Sequence, residues 1–439
     1  RLAAAFVDAP LERDVLVARA IHVVRDDQPW LHVLVDDVLR LGPEGPRDDE
    51  PDPDDGADDG DEPVDDRDRF ARLRDWILQH HAFKAGLRQG ARAARVWIDP
   101  PEMRDSPWRV PALPTTGELA RWLGVVPERL AILADRRNLS RDSVDPRARH
   151  YRYMWLAKPT GGHRLLEALK PTLRRIQRNL LDEIVANVPP HDAAHGFCRG
   201  RSVRTFAEPH VRRDVVLRFD LRAFFTSITM PRVAAIFFAA GYPEHLAATL
   251  AELCTHATPR DVLARAPSPP DHVRLRSRHL PQGAPTSGAL ANLVAYGFDV
   301  RMSAFAAKLG AHYTRYADDL ALSGDVTLAR RSAAILRQIR TIALDEGFAV
   351  NLPKTRVMRA ATQQRLTGIV VNDRLAIARS EIERLRAILH NCIRFGPASQ
   401  NRANVADFRS HLVGRCAWIT SIDPRKGARL AAQLARIEW

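Results

Sequence analysis

Two adjacent carboxylates, Asp318 and Asp319, sit between two short β-prone runs in His312-Tyr-Thr-Arg-Tyr-Ala-Asp-Asp-Leu-Ala-Leu-Ser-Gly324. The pattern predicts a β-hairpin whose turn carries both acids. A third acid, Asp220, falls within the apolar stretch Val215-Val-Leu-Arg-Phe-Asp-Leu221, where a strand end would project it into a cleft. Phosphoryl transfer from a nucleotide calls for Mg²⁺, which takes a few carboxylates plus substrate phosphate oxygens. Two such ions activate the attacking hydroxyl and stabilise the leaving pyrophosphate, with Mn²⁺ able to substitute. Asp220, Asp318 and Asp319 suit that task. Phe225, five positions after Asp220, would place a ring beneath the incoming sugar, where a ribose 2′-OH would clash. Singly, each feature has a plainer explanation. Asp-Asp also occurs at 26–27, 36–37, 48–49, 54–55, 58–59 and 65–66, Asp220 could cap the next segment, and Phe225 could be core.

The elements that must position these residues begin near Tyr151. Tyr151–Ala157 is strand-like and runs into the turn Lys158-Pro-Thr-Gly-Gly-His-Arg164. Leu173, Ile176, Leu180, Leu181 and Ile184 then recur at helical spacing. Strand 215–221 is followed by a helix over Pro231–Ala240, with Pro near its start. Residues 256–279 read as a polar, Pro-rich surface loop. Ser287–Leu309 and Leu328–Gly347 read as helices flanking the hairpin, the second ended by Gly347. Short strands follow, and 379–439 reads as three helices of net charge +6.

Upstream, residues 1–41 predict a small helical segment. Residues 42–68 hold 14 acidic residues and two Arg among Pro and Gly, and they predict a disordered acidic linker, a solvated spacer in preference to a nucleic-acid mimic. Residues 69–149 predict a helical extension interrupted by a Pro-rich stretch, with a helical hairpin over 115–140. The chain has 439 residues, so several domains are expected. Its net charge is +13, and with the linker at −12 the remainder carries +25. That excess favours a polyanionic partner such as nucleic acid. Four widely spaced cysteines suggest neither zinc nor disulfides and fit a reducing cytoplasm. No apolar run reaches 18 residues, so no membrane association is expected.

The ordered set Phe219-Asp-Leu-Arg-Ala-Phe-Phe225, Leu280-Pro-Gln-Gly-Ala-Pro-Thr-Ser-Gly-Ala-Leu-Ala-Asn292 and Tyr316-Ala-Asp-Asp319 resembles the palm motifs of reverse transcriptases. Lys158–Arg164 resembles the finger segment that grips a triphosphate. His195-Gly-Phe-Cys-Arg-Gly-Arg-Ser202 resembles the adjoining template-side motif, and Gly347–Thr355 a later palm motif. Within that family the chain resembles bacterial retron enzymes. Gln363-Gln-Arg-Leu-Thr-Gly-Ile-Val-Val-Asn372 resembles their Val-Thr-Gly motif, with Leu366 for Val. Ala207-Glu-Pro-His210 resembles Asn-Ala-x-x-His, with Phe206 for Asn. Ser287-Gly288 departs from the commoner Ser-Pro.

The resemblance implies an α+β right-hand polymerase with an α-helical N-terminal extension, fingers and palm over 150–375 and an RNA-binding helical thumb over 376–439. It implies RNA-templated DNA synthesis with two Mg²⁺ on Asp220, Asp318, Asp319 and the Leu221 backbone. Lys158, Arg164, Phe225, Gln282, Gly283 and Lys354 would bind the deoxynucleotide. Arg164 can meet two phosphate oxygens at once, Gly283 allows close backbone approach, and Lys354 would neutralise pyrophosphate. Arg384, Arg386, Arg394, Arg402 and Arg409 are the candidates for RNA contact, and His210 either orients an RNA-contacting loop or is a buried, hydrogen-bonded histidine. Asn292 serves either the site or the neighbouring loop; Arg315 faces either the primer backbone or an acidic neighbour. The implied partners are a cognate structured non-coding RNA, its RNA–DNA product and an effector protein, with branched DNA primed from a guanosine 2′-OH and a role in antiphage defence. The same residues also fit another bacterial reverse transcriptase, group II intron-like or defence-associated. A catalytically idle RNA-binding scaffold is a third reading, against which the three intact acids speak.

Overall fold

The computed structural model describes residues 1–7, 9–43, 45–46, 66–92, 102–143, 145–158, 161–268 and 271–439. Most of the acidic stretch predicted as a linker lies outside the described residues. The chain divides into two compact units, Arg1–Pro101 and Glu102–Trp439. The segment expected as one helical extension, 69–149, is therefore shared between them.

The first unit packs α1 (Leu2–Phe6), α2 (Arg13–Val24), α3 (Pro29–Leu41), α4 (Asp66–Gln79) and α5 (His81–Arg88). Its core gathers Phe6, Leu16, Leu31, Leu34 and Ile77. Gly86 brings α5 against the Trp30 indole, where a Cβ would lie 2.6 Å from Cδ2.

The second unit opens with α6 (Thr116–Trp122), α7 (Pro127–Ala134) and α8 (Leu139–Asp142). Thr115 caps α6, accepting from Glu118 N–H while the Glu118 carboxylate accepts from Thr115 N–H, a reciprocal capping box. The antiparallel pair β1 (Tyr151–Ala157) and β2 (His163–Leu169) then leads into α9 (Pro171–Glu183). α10 (Val203–Ala207) precedes β3 (Val215–Asp220). Between β3 and the hairpin come α11 (Met230–Ala239), α12 (Glu244–Cys254), α13 (Arg260–Ala264), α14 (His272–Arg276), α15 (Ser287–Val294) and α16 (Tyr296–Lys308). The hairpin is β4 (His312–Tyr316) and β5 (Asp319–Gly324), followed by α17 (Val326–Arg330), α18 (Ser332–Asp345) and β6 (Arg356–Arg359). The central sheet is antiparallel in the order β4-β5-β3-β6. A small sheet, β7 (Arg365–Leu366), β8 (Ile369–Val370) and β9 (Ala376–Ile377), joins it to α19 (Arg379–Phe395), α20 (Phe408–Ile422) and α21 (Pro424–Leu434).

β3 is apolar almost throughout because the sheet is covered on both faces. Val215, Leu217 and Phe219 enter the main core, and Val216 enters a second core with Leu385, Leu412 and Ile419. The two long helices expected beside the hairpin are each broken in two, at Ala295 and at Arg331.

The stretch 256–279 is not the surface loop its composition predicts. It carries two short helices, and His256, Thr258 and His279 are buried. Their polarity is absorbed internally. His279 faces the Glu167 carboxylate through Nε2 (3.0 Å) and the Ser277 carbonyl through Nδ1 (2.7 Å). Both partners are acceptors, so both ring nitrogens carry protons and the ring is an imidazolium. Thr258 donates to the other Glu167 oxygen at 2.7 Å, and Tyr153 OH pairs with His256 at 2.8 Å.

Candidate active site

Asp220 ends β3 and lies directly opposite Asp319, the first residue of β5. Directly paired residues of antiparallel strands share a face, so the sheet register alone puts these two acids side by side. The β4–β5 turn is Ala317-Asp318, with Ala317 left-handed at φ +55°. Leu221 N–H donates to the Asp318 carbonyl at 2.9 Å, tying the turn to the end of β3.

The turn's backbone is held from below by a fully buried guanidinium. Arg315 donates to both Asp299 oxygens (2.8 and 2.6 Å), to Asn292 Oδ1 (2.9 Å) and to the Ala317 carbonyl (3.2 Å). Arg315 and Asp299 are both wholly buried. Of the two roles open to Arg315, the acidic neighbour is the one found. Asn292 in turn donates to the Gly196 carbonyl at 2.7 Å, so it bonds the neighbouring loop. Gly196 presses on the turn itself, where a Cβ would lie 2.7 Å from Ala317 N.

Each carboxylate has a different surrounding. Asp220 accepts from Asn351 Nδ2 (2.9 Å) and Lys354 Nζ (2.7 Å). Burial, reinforced by the charges of Asp220 and Asp319, pushes Asp318 up to about 6. Asp319 pairs with Arg218, 2.8 Å from Nη2, and meets Thr367 Oγ1 at 3.4 Å. Thr367 and Gly368 form the β7–β8 turn, both with positive φ. These oxygen donors, one of them raised by burial and by neighbouring negative charge, fit a hard divalent cation. Lys354 stands beside Asp220, while Arg218 draws the Asp319 carboxylate towards β3, and none of the three acids is among the residues that line the neighbouring cavity.

A cavity of about 620 Å³ is lined by Arg164, Phe225, Gln282 and Gly283, and also by Arg174, Arg178, Phe197 and Gly288. Gly283 is left-handed at φ +120°, and a Cβ there would come within 3.3 Å of the Glu167 carbonyl. The Gln282 carbonyl accepts from Glu167 N–H at 2.8 Å, so this loop is laced to β2. Lys158 is exposed in the β1–β2 turn and is not among the cavity's lining residues; neither is Lys354, which pairs with Asp220. Arg174 and Arg178 lie on α9, whose apolar face drew attention in the sequence while its basic face did not. Arg218, Asn351 and Thr367 are likewise joined to the acids only by the fold.

His210 requires a correction. It is fully buried between Ser323 Oγ (2.6 Å) and Thr314 Oγ1 (2.8 Å), and burial pushes its pKa down to about 3. A neutral imidazole sealed in the sheet's lower face cannot contact RNA. Arg384, Arg386 and Arg394 are exposed on α19, Arg402 in the following loop and Arg409 near the start of α20, the last 5.7 Å from the Trp439 ring. Arg384 and Arg386 point about 200° apart around α19, so only some of these cations share a face.

Residues 156–371 match the family model "Reverse transcriptase (RNA-dependent DNA polymerase)". The chain is 39% identical to the retron Mx65 reverse transcriptase of Myxococcus xanthus over 353 residues, 80% of this chain and 78% of that one. The chain belongs to the retron reverse transcriptases. It is also 37% identical to the retron Mx162 enzyme of Myxococcus xanthus (66% of this chain, 61% of that one) and 28% identical to the retron Ec86 enzyme of Escherichia coli (60% and 72%). As a reverse transcriptase it is an RNA-directed DNA polymerase with the right-hand α+β fold, and its family uses divalent metal ions. Among the described residues no helix is long and apolar enough to cross a membrane.

Proposed function

We propose that this reverse transcriptase copies a cognate structured non-coding RNA in the bacterial cytoplasm. Synthesis starts from the 2′-OH of an internal guanosine, gives a branched RNA-linked DNA, and serves antiphage defence with an effector protein. Membership of the retron family carries this reading. In support, the Leu366-Thr367-Gly368 turn ends 3.4 Å from the Asp319 carboxylate. A family-specific segment thus sits against the acids, where a specialised primer terminus would have to lie.

Asp220, Asp318 and Asp319, with the Leu221 carbonyl, would hold two divalent ions, Mg²⁺ by preference. The chemistry such ions supply is activation of the attacking hydroxyl and neutralisation of the leaving pyrophosphate. The chain's own residues do the rest. Arg164 and Lys158 grip the triphosphate, and Lys354 sets a positive charge between Asp220 and the phosphates. Gln282 and Gly283 seat the sugar, and Phe225 excludes its 2′-OH. Residues 150–375 form fingers and palm, and 376–439 form the thumb. There Arg384, Arg386, Arg394, Arg402 and Arg409 meet RNA phosphates in a salt-dependent way.

The test is to purify the full chain from cells with its RNA locus, extract bound nucleic acid, and treat it with RNase, DNase and a debranching enzyme. Branched RNA–DNA that the debranching enzyme resolves is expected, and it should vanish with Asp318→Asn plus Asp319→Asn. Unbranched DNA, or synthesis that persists in the double variant, would overturn the priming or the metal assignment respectively.

A further inference from the structure

Phe197 is held in a conformation that its residue type disfavours. Its φ is +58°, a left-handed backbone that a bulky non-glycine residue rarely adopts. The loop around it over-determines that geometry. Asn292 Nδ2 donates to the Gly196 carbonyl on one side of Phe197 and approaches Cys198 Sγ at 3.3 Å on the other. His195 N–H donates to the Arg315 carbonyl, and Arg315 N–H to the Ala193 carbonyl, both at 2.7 Å. The loop is therefore fastened to the same strand that carries the catalytic turn. Strain fixed in this way concentrates where a side chain must be aimed.

The side chain is aimed into the cavity. Phe197 is 56% exposed, although it is a large apolar ring, and it lines the cavity beside Phe225. The two rings meet edge to face, with centroids 5.9 Å apart and planes at 68°. Together they make an apolar corner. Arg164 and Arg178 also line this cavity, and among the described residues neither has an acidic partner. The cavity thus has an anion-binding part and an apolar part, as a nucleotide does.

Gly288 completes the arrangement. A Cβ on Gly288 would fall 2.5 Å from Phe197 Cγ, 2.7 Å from Cδ1 and 2.9 Å from Cβ. The colliding atoms are the root of the ring, which cannot swing aside as a flexible tip would. Glycine at the second position of α15 is therefore what lets the Phe197 ring lie against the helix start.

We propose that Phe197 is a nucleotide-binding residue whose ring bears on the nucleobase of the incoming deoxynucleotide, with Phe225 against the sugar, and that Gly288 is its seat. The inference rests on the nucleotide-pocket reading given above. Aromatic contact with a base tolerates any sequence because every base has a π-face. Phe197 would then sharpen nucleotide binding without choosing among the four bases.

The experiment is single-nucleotide incorporation by the full chain on a preformed DNA primer and RNA template, varying each dNTP. Phe197→Ala should raise KM for all four dNTPs by roughly 5- to 100-fold, with a much smaller change in kcat, and Phe197→Tyr should restore it. Gly288→Ala should raise KM in the wild-type background but add far less to Phe197→Ala, where the ring is gone and only the residue 197 Cβ remains near the new methyl group. Alanine is a better helix former than glycine, and truncating an exposed ring opens no core cavity, so both variants should fold; a cooperative thermal transition in each, with that of Phe197→Ala unchanged, checks this. Unchanged KM in Phe197→Ala, or additive effects in the double variant, would overturn the proposal. Arg164→Ala separates the two layers. If it raises KM while Phe197→Ala does not, this inference alone fails; if neither does, the pocket assignment fails with it.

Discussion

Replacing Arg315 with Met tests how the catalytic turn is held. The substitution keeps most of the side-chain volume and removes four hydrogen bonds, two of them to Asp299. Asp299 is then a wholly buried carboxylate whose remaining side-chain donor among the described residues is the Tyr313 hydroxyl at 2.8 Å. Breaking a buried ion pair from one side costs about 3–5 kcal/mol, chiefly because the other charge is left uncompensated. The Ala317 carbonyl also loses its donor, in a turn with a left-handed residue. Arg315→Met should therefore lower the unfolding free energy by about that amount in urea titrations of the full chain. Adding Asp299→Asn removes the orphaned charge, so the double variant should recover a substantial part of the stability. DNA synthesis should stay low in both, because neither restores the bond to Ala317. A single variant that loses under about 1 kcal/mol, or a double variant no more stable than the single, would refute the claim that an ion pair underpins the turn.

Two further outcomes follow from the geometry. Burial alone would push Glu167 up and His279 down, but their mutual charge and hydrogen bond win, leaving Glu167 below and His279 above their ordinary values of 4.5 and 6.5. The stability this pair contributes is therefore full between those two values; it is lost as pH falls through Glu167's lowered value or rises through His279's raised one. Urea midpoints from about pH 5 to about pH 9 should show Glu167→Gln closing its gap to wild type as pH rises, and a constant gap would count against an imidazolium. Phe225→Ala should admit ribonucleotides in primer extension, by at least about tenfold, and unchanged sugar discrimination would sink the assignment of its ring.

What could be read from the sequence was whatever is local or repeats with a period. The Asp318-Asp319 hairpin, strand β3 and helix α9 announce themselves through short β-prone apolar runs and helical spacing, and the motif order around them suffices to recognise a reverse transcriptase. What stayed hidden is the set of contacts that span the chain. Nothing near Arg315 hints that it meets Asp299 rather than a primer, since the pair forms only when α16 packs under β4. The 256–279 stretch reads as exposed because its histidines and threonine are polar, yet inside the fold they are satisfied by Glu167 and Tyr153 on the β1–β2 pair. Composition cannot separate a polar surface from a closed polar network. For His210 the motif match pointed outwards to RNA and burial was the competing reading; the fold decides for burial, because its two hydroxyl partners lie on β4 and β5. The departure at Gly288 looked minor for the same cause: a Gly in place of Pro becomes meaningful only against the Phe197 ring, 91 positions away in sequence but in contact in space. The acids at this site were recognisable because the chemistry restricts their types. The groups that aim them were not, because many side chains can supply a hydrogen bond, and only packing decides which one does.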